Sequence, residues 1–254
     1  MVSPDDYVSA VVERYELPDG PGSPASRAMT ALSDLIKPWA GHYLMGTSAT
    51  GSYAKGTRIR GSTDLDILVQ LGPRTHPTPE RIHKTLFAFL KHRGLVPRSR
   101  NVSIAIQYQG LLVDLIPARQ EWGSGDRVAL FETERNQVTV TNIGEHVRLI
   151  RESGRIEDIK ALKIWRDLRG LRFPSFYLEL VVLDALRHRA HNQPGANLLG
   201  TLECLRDRFV GTPFRDPANF ENRISAELSE HEQLALAAAA RESLEEGSWD
   251  RIVR

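Results

Sequence analysis

Two aspartates at the beginning of a predicted strand constrain this chain more than any other feature. Asp64 and Asp66 flank Leu65 and lead into an apolar run that is typical of a buried strand. Residues two apart in a strand point to the same face, so the two carboxylates would face one point and repel each other. A divalent cation such as Mg²⁺ would relieve that repulsion, since it prefers one or two carboxylates together with substrate phosphates.

A Gly-Ser turn about a dozen residues upstream supplies what a triphosphate needs. Gly51 permits a close approach of the backbone, and Ser52 adds a hydroxyl to the free N–H groups of the turn. Together with the two aspartates, this turn predicts a nucleotidyl-transfer site.

A third carboxylate strengthens this hypothesis. Asp114 lies in the apolar stretch 111–116, where an acid is costly unless it is paired or bound to a metal. Taken alone, Asp114 could equally be satisfied by a nearby arginine or a backbone N–H group. With Asp64 and Asp66 it would complete the ligands of two ions, Mg²⁺ or Mn²⁺, that clamp an in-line displacement. We therefore predict that all three aspartates are catalytic and metal-binding, and that Asp114 accepts the proton of the attacking hydroxyl.

The hydrophobic pattern predicts an α+β half followed by an all-helical half. We expect 1–142 to form an α/β catalytic lobe that includes two N-terminal helices, and 143–254 to form a helical lobe. Pro38 is predicted to end the second helix, and Pro117 to end the strand that carries Asp114. The predicted strands are 43–47, 64–71, 102–106 and 111–116, and the predicted helices are 4–16, 24–38, 79–93, 144–153, 156–169, 175–191, 197–209 and 229–245.

The composition excludes several other classes of protein. The 254 residues carry a net charge of +1, which gives no general attraction to nucleic acid or to a membrane. Cys204, the one cysteine, excludes a disulfide framework and suits a reducing cytosol, where we expect it to be a small buried residue. We see no signal peptide and no apolar run long enough to span a membrane, so we expect a cytoplasmic protein.

These residues together resemble the polymerase-β-like nucleotidyltransferase superfamily. The helical half is similar to oligoadenylate synthetases, CCA-adding enzymes and, most closely, the bacterial cGAS/DncV-like nucleotidyltransferases (CD-NTases). One departure is Thr63, which separates Ser62 from Asp64 where many relatives place the serine directly before the first aspartate. The positions that carry the resemblance are Gly51-Ser52, Gly56-Thr57, Ser62, Asp64-Leu65-Asp66, Val113-Asp114, 161–165, 173–180 and 216–222.

The resemblance implies a bilobed enzyme that holds its nucleotides between the two lobes. By position, Gly51 and Ser52 would contact the donor triphosphate, and Lys163 and Ser175 would reach it from the helical lobe. Lysine suits that role as a point charge. Phe176, with its neighbour Tyr177, could offer a face for a base to stack on, although such residues are more often core. Glu179, in an apolar helix stretch, is expected to pair with an arginine.

The resemblance also implies a reaction. The protein would join NTPs, ATP among them, into a cyclic or linear oligonucleotide second messenger and release pyrophosphate. In bacterial relatives such a product activates a separate effector protein in anti-phage defence, and we expect the synthase itself to act as a monomer. Three alternatives stay open: addition of nucleotides to an RNA 3′ end, nucleotidylation of a small molecule or protein, and a degenerate nucleotide-binding adaptor. The near-neutral charge argues against the first and the three intact acids against the last, while a role for nucleic acid remains undecided.

Overall fold

In this computed structural model the chain divides into two units, each assembled from separate stretches of sequence. The described residues are 2–18, 20, 22–61, 64–123 and 125–254, so that Ser62 and Thr63 of the predicted motif lie outside them. One unit comprises Met1–Leu17, Gly56–Gly61 and Arg148–Arg254, and the other comprises Pro18–Lys55 and Ser62–Val147. This division differs from the predicted one, because the first helix and a short segment near residue 60 belong with the helical half.

The sheet unit contains seven described strands. They are β1 (Leu44–Ala49), β2 (Leu65–Leu71), β3 (Arg98–Ser99), β4 (Ile104–Tyr108), β5 (Leu111–Gln120), β6 (Val128–Glu132) and β7 (Gln137–Thr141). The main order is β1-β2-β5-β4-β3, while β6 pairs with both β5 and β7. Only β2 and β5 pair in parallel among the described strands, so the sheet is mixed. With the helical half, this confirms the predicted α+β class.

One face of the central strands is apolar and forms the core of the sheet unit. Ile67 and Val69 of β2 are fully buried. Helices α2 (Pro24–Ala40) and α4 (Pro79–His92) supply apolar side chains to the same core. Burying a large aliphatic side chain contributes roughly 1.5–3 kcal/mol, and a slip of one residue would expose the whole set. This core therefore fixes the register of β2 and makes Asp66 face the opposite side.

Two prolines lie inside the elements that they were predicted to end, so both predicted ends are wrong. Pro38 lies in the last turn of α2, which continues to Ala40 before Gly41 ends it with a φ of 56°. Pro117 lies inside β5 at a position where, among the described strands, only β2 pairs with it. A residue without an N–H group is tolerated there as it is on an edge strand.

Gln109 and Gly110 form a tight turn between β4 and β5. Both residues have positive φ angles, 49° and 80°, which a two-residue type I′ hairpin requires. Tyr108 and Leu111 are register partners on either side of the turn. The hairpin therefore fixes which residues of β5 share the face of Asp114.

The other unit is helical. Tyr177 and Trp165 are fully buried in its core, to which the first helix contributes Val8 and Val11. A capping box formed by Ser229 and Glu232 begins the helix 230–245. The described helices are α1 (Pro4–Arg14), α6 (Ile156–Leu168), α7 (Ser175–Ala185), α8 (Pro194–Asp207), α9 (Glu230–Glu245) and α10 (Trp249–Ile252), while α5 (Ile143–Glu152) runs across the boundary between the units.

Some elements differ from the prediction. The hairpin of β6 and β7 was missed, as were α10 and a short helix, α3 (Gly51–Lys55), at the Gly-Ser turn. The helix predicted for 175–191 ends at Ala185, where the guanidinium of Arg155 donates to the carbonyl of Leu186. A cation at a helix C-terminus satisfies such carbonyls and opposes the dipole.

Two smaller expectations can be compared with the structure. Cys204 is buried, as predicted, and burial raises the pKa of its thiol, which suits a packing role. None of the described helices has the length and apolar character needed to cross a membrane.

Candidate active site

Asp66 and Asp114 lie side by side in the sheet. They are register partners on the parallel strands β2 and β5, so their side chains leave the same face. Asp64 lies immediately before β2, which begins at Leu65. The charges of Asp64 and Asp114 both act on the pKa of Asp66. The structure therefore brings the three predicted carboxylates together.

Arg100 bridges two of these carboxylates. Its Nη1 donates to Asp64 Oδ2 at 3.0 Å and to Asp114 Oδ2 at 2.7 Å. Asp114 is only 6% exposed, and its other oxygen, Oδ1, is buried without a hydrogen-bond partner among the described residues. Leaving a buried acceptor unsatisfied is costly, so Asp114 has one oxygen that a further ligand would stabilise.

The carboxylates carry more negative charge than their surroundings balance. Burial raises the pKa of Asp66 to about 7, with Asp114 and Asp64 adding to the effect, while Lys55 and Arg100 oppose it. Burial also raises the pKa of Asp114, an effect that the Arg100 guanidinium counteracts. These shifts have the direction expected where like charges are crowded together in a partly desolvated position.

Gly51 lies directly against Asp66. A Cβ on Gly51 would meet Asp66 Oδ2 at 1.8 Å, and the φ of Gly51 is 55°. The backbone N–H of Thr50 donates to the carbonyl of Asp66 at 2.9 Å, which ties the turn to β2. Ser52, the second residue of α3, is partly exposed beside this contact. The close backbone approach predicted for Gly51 therefore exists, and the group approached is a carboxylate.

A cavity of about 290 Å³ adjoins the face of β2 that carries Asp66. Leu68 and Gln70, which alternate with the core residues as Asp66 does, line it together with Thr50 and Ala54. Its volume lies just below the range of pockets that bind small molecules, roughly 300–1,000 Å³. None of the three aspartates lines it, so the cavity lies further along the same face of β2.

The three aspartates fit a magnesium or manganese ion by their chemistry. They supply hard oxygen ligands, and the orphaned Oδ1 of Asp114 marks a position where a cation would be stabilising. Within the described part of the chain, no three acidic, histidine or cysteine side chains are arranged closely enough to hold a metal ion without rearrangement. Arg100 Nη1 instead lies between Asp64 Oδ2 and Asp114 Oδ2.

Lys163, predicted to contact a phosphate, lies in a buried ion pair of the helical unit. Its Nζ donates to Glu179 Oε1 at 2.8 Å and to Thr57 Oγ1 at 2.9 Å, and the Thr57 hydroxyl donates to Glu179. Lys163 and Glu179 are each 1% exposed. The partner predicted for Glu179 was an arginine, and the structure corrects this to a lysine. In this arrangement the ammonium is enclosed, so contact with a phosphate would require the pair to open.

Ser175 and Phe176 begin helix α7 and are both partly exposed. Arg166 Nη1 donates to Ser175 Oγ at 3.2 Å and to the carbonyl of Phe173 at 2.9 Å, which fixes the start of the helix. Phe176 packs against the helical core and Tyr177 is fully buried within it. The core interpretation of Tyr177 is therefore confirmed.

Comparison with known proteins gives one curated relative and several solved structures. No family model matches the sequence. The cyclic AMP-AMP-AMP synthase of Escherichia coli (strain MS 115-1) is 25% identical in an alignment of 199 positions that covers 70% of this chain. The aligned region covers 60% of that synthase, so this chain spans less than two thirds of its length.

Two solved structures share the architecture. The CD-NTase CdnG of Bradyrhizobium diazoefficiens, solved in complex with GTP, matches with a TM-score of 0.79 over 95% of this chain and 90% of that chain, at 14% identity. The chain has the nucleotidyltransferase fold of the CD-NTases. A cytoplasmic RNA terminal U-transferase matches with a TM-score of 0.64 over 97% and 95% of the two chains, at 13% identity. The CD-NTase fold is thus shared with a transferase named for RNA ends.

The contact between Gly51 and Asp66 gives a direct test of the site in this CD-NTase fold. We expect Gly51→Ala to displace the Asp66 carboxylate, because the new Cβ would overlap Oδ2. A misplacement of about 1 Å costs on the order of 10²-fold in rate, so a reaction that uses this carboxylate should slow by about that factor, measured as release of pyrophosphate from NTPs. Steady-state assays of the purified variant measure it.

Gly110→Ala is the matched control for Gly51→Ala. Gly110 also has a positive φ, 80°, but a Cβ there meets nothing within 4 Å. Alanine is strained at a positive φ, so both variants should be destabilised by a similar amount, roughly 1–3 kcal/mol. Gly110→Ala should nevertheless keep its activity. Equal activities in the two variants would mean that Gly51 is needed only for its backbone conformation.

Arg100 is the residue of this site that the sequence analysis missed. It lies in the turn between β3 and β4, and no motif marks it. The one signal was positional, because β4 is the strand that pairs with β5 beside Asp114, through Ala105. An arginine just before that strand was therefore a candidate partner for the third carboxylate, which the sequence analysis allowed for without naming a residue.

Proposed function

We propose that this protein is a metal-dependent nucleotidyltransferase that joins NTPs into a cyclic or linear oligonucleotide and releases pyrophosphate. The observation that carries the proposal is the pairing of Asp66 with Asp114 across β2 and β5, with Asp64 beside them and Gly51 in contact. The likeness to a cyclic AMP-AMP-AMP synthase and to a GTP-bound CD-NTase supports it.

The proposed metal ligands are Asp64, Asp66 and Asp114. Bound Mg²⁺ or Mn²⁺, as a pair of ions, would supply activation of the attacking hydroxyl and neutralisation of the triphosphate and the leaving pyrophosphate. Asp114 would accept the proton of the attacking hydroxyl. The orphaned Asp114 Oδ1 supports the assignment, since it lacks the ligand that a buried carboxylate needs.

The proposed nucleotide contacts are those that the resemblance implies. Ser52, at the start of α3, would donate to the donor triphosphate near the backbone of Gly51. Ser175 and Phe176, partly exposed at the start of α7, would contribute a hydroxyl and an apolar surface. Lys163 is proposed as a contact only if its pair with Glu179 opens, because both side chains are otherwise enclosed.

We further propose the biological setting that the resemblance implies. The product would act as a second messenger that activates a separately encoded effector in bacterial anti-phage defence. ATP would be among the substrates, as the name of the curated relative suggests. The enzyme would act in the cytoplasm and as a monomer.

The alternative with a specific observation in its favour is addition of nucleotides to an RNA 3′ end. The match to an RNA terminal U-transferase supports it. The net charge of +1 argues against an extended RNA-binding surface, because affinity for nucleic acid rests largely on neutralising phosphates.

One experiment separates the two functions. The protein is incubated with all four labelled NTPs and Mg²⁺ or Mn²⁺, without any acceptor. The products are then treated with phosphatase, and their masses are measured by mass spectrometry. We expect a phosphatase-resistant oligonucleotide whose mass reports its bases and whether it is cyclic. No product from NTPs alone, with extension of added RNA, would instead support the terminal transferase.

A further inference from the structure

Arg100 occupies the carboxylate oxygens that a metal ion would need. One nitrogen, Nη1, serves both Asp64 Oδ2 and Asp114 Oδ2. Asp114 is more than nine-tenths buried, and its Oδ1 has no partner among the described residues. The single positive charge of a guanidinium thus stands between two carboxylates, close to a third, that together suit a divalent cation.

The backbone of Arg100 is fixed while its side chain is not enclosed. The N–H of Arg100 donates to the carbonyl of Ser103 at 2.9 Å, and its own carbonyl accepts from Thr133 Oγ1 at 2.9 Å. The neighbouring carbonyl of Asn101 accepts from the N–H of Thr133 at 2.7 Å. The Arg100 side chain is 44% exposed. It can therefore leave the carboxylates by rotation of its own bonds, without a change in the turn.

We propose that Arg100 is a positioning residue that holds Asp64 and Asp114 in the metal-free protein and gives them up when a divalent cation binds. This inference rests on the proposed function, which supplies the metal. Without Arg100 the carboxylates would repel one another, and with it they stay converged. The same contacts make Arg100 a competitor of the cation, because both need Asp114 Oδ2 and Asp64 Oδ2.

The test compares Arg100→Gln with Arg98→Gln. Arg98 is an exposed arginine two residues earlier, on β3, and its replacement removes the same charge from a position nearby in the sequence. Binding of MnCl₂ is followed by isothermal titration and by the loss of the free Mn²⁺ resonance signal. A partly exposed ion pair contributes up to about 1 kcal/mol. Removing this competitor should therefore tighten Mn²⁺ binding roughly fivefold in Arg100→Gln. The tightening in Arg98→Gln should be much smaller.

Thermal melting gives a second measurement that does not depend on catalysis. In EDTA, Arg100→Gln should melt below both the wild type and Arg98→Gln, because its carboxylates have lost their counter-ion. In saturating Mn²⁺ that difference should disappear. Arg100→Lys keeps the positive charge but replaces the planar guanidinium with a compact ammonium. Its Mn²⁺ affinity should therefore lie between those of the wild type and Arg100→Gln. This variant also provides the test if Arg100→Gln does not fold.

The outcomes separate this inference from the proposed function. Equal tightening in Arg98→Gln and Arg100→Gln would reduce the effect to general charge and overturn the inference. Weaker Mn²⁺ binding in Arg100→Gln would overturn it as well, since Arg100 would then help to build the metal site. Tighter Mn²⁺ binding in Arg100→Gln but not in Arg98→Gln would support the role of Arg100. If the wild-type protein then made no product from any NTP, the proposed function would be wrong while this inference stood.

Discussion

Asp66→Asn is expected to lower the rate of pyrophosphate release from NTPs by about 10³-fold. Asparagine has nearly the shape of aspartate, so it should fit beneath Gly51 while it removes the charge that a bound cation needs. Metal ions stabilise transition-state charge by several kcal/mol, and a loss of about 4 kcal/mol corresponds to roughly a thousandfold in rate. Steady-state assays at saturating NTP and Mg²⁺ measure the change.

The fold should survive Asp66→Asn. The neighbouring charges of Asp114 and Asp64 and the burial of Asp66 all disfavour its ionised form, so the neutral amide should melt at or above the wild-type temperature in EDTA. Asp34→Asn is the control, since it removes an exposed carboxylate that pairs with Lys37 on α2, and it should retain full activity. Activity of Asp66→Asn within tenfold of wild type would mean that the site lies elsewhere.

Lys163→Met is expected to lower the free energy of unfolding by roughly 3–5 kcal/mol, the usual cost of removing one partner from a buried ion pair. Glu179 is 1% exposed, and without the ammonium its buried carboxylate would lose the ion pair that Lys163 Nζ makes with Oε1. Urea denaturation of the variant and the wild type measures the difference. A loss of this size exceeds most single substitutions.

A second variant identifies the cause of the loss. Lys163→Met combined with Glu179→Gln removes both charges and leaves an amide that can still accept from Thr57, so more than half of the lost stability should return. Lys37→Met, in a pair whose side chains are 61% and 64% exposed, should cost less than about 1 kcal/mol. Unchanged stability in Lys163→Met with a raised KM for NTP would instead make Lys163 a phosphate ligand.

The three carboxylates could be predicted because their placement depends on local rules. Strand alternation relates Asp64 to Asp66, and the Gln109-Gly110 hairpin determines which face of its strand Asp114 shares. Their partner could not be predicted. Arg100 is held by Thr133, which lies in the turn of the β6–β7 hairpin. That hairpin gave no clear signal in the sequence, and contacts between distant parts of the sequence have no local pattern.

The helical unit illustrates the same limit. The acid in an apolar helix correctly indicated that Glu179 has a buried partner, but the type of partner depends on how α6 and α7 are placed side by side. Likewise, the amphipathic pattern of α1 showed that one face is apolar without showing what covers it. The segment 56–61, part of the helical unit, has no pattern that would have indicated its neighbours.

The helical unit is built from three separate stretches of sequence, which affects how the chain folds during synthesis. Helix α1 packs against α6 and α8, so the surface that covers Val8 and Val11 is made about 150 to 200 residues after them. At translation rates of about 5–20 residues per second, α1 waits on the order of ten seconds or more for its partners. During that interval the apolar face of α1 lacks its partners α6 and α8 and stays exposed to solvent.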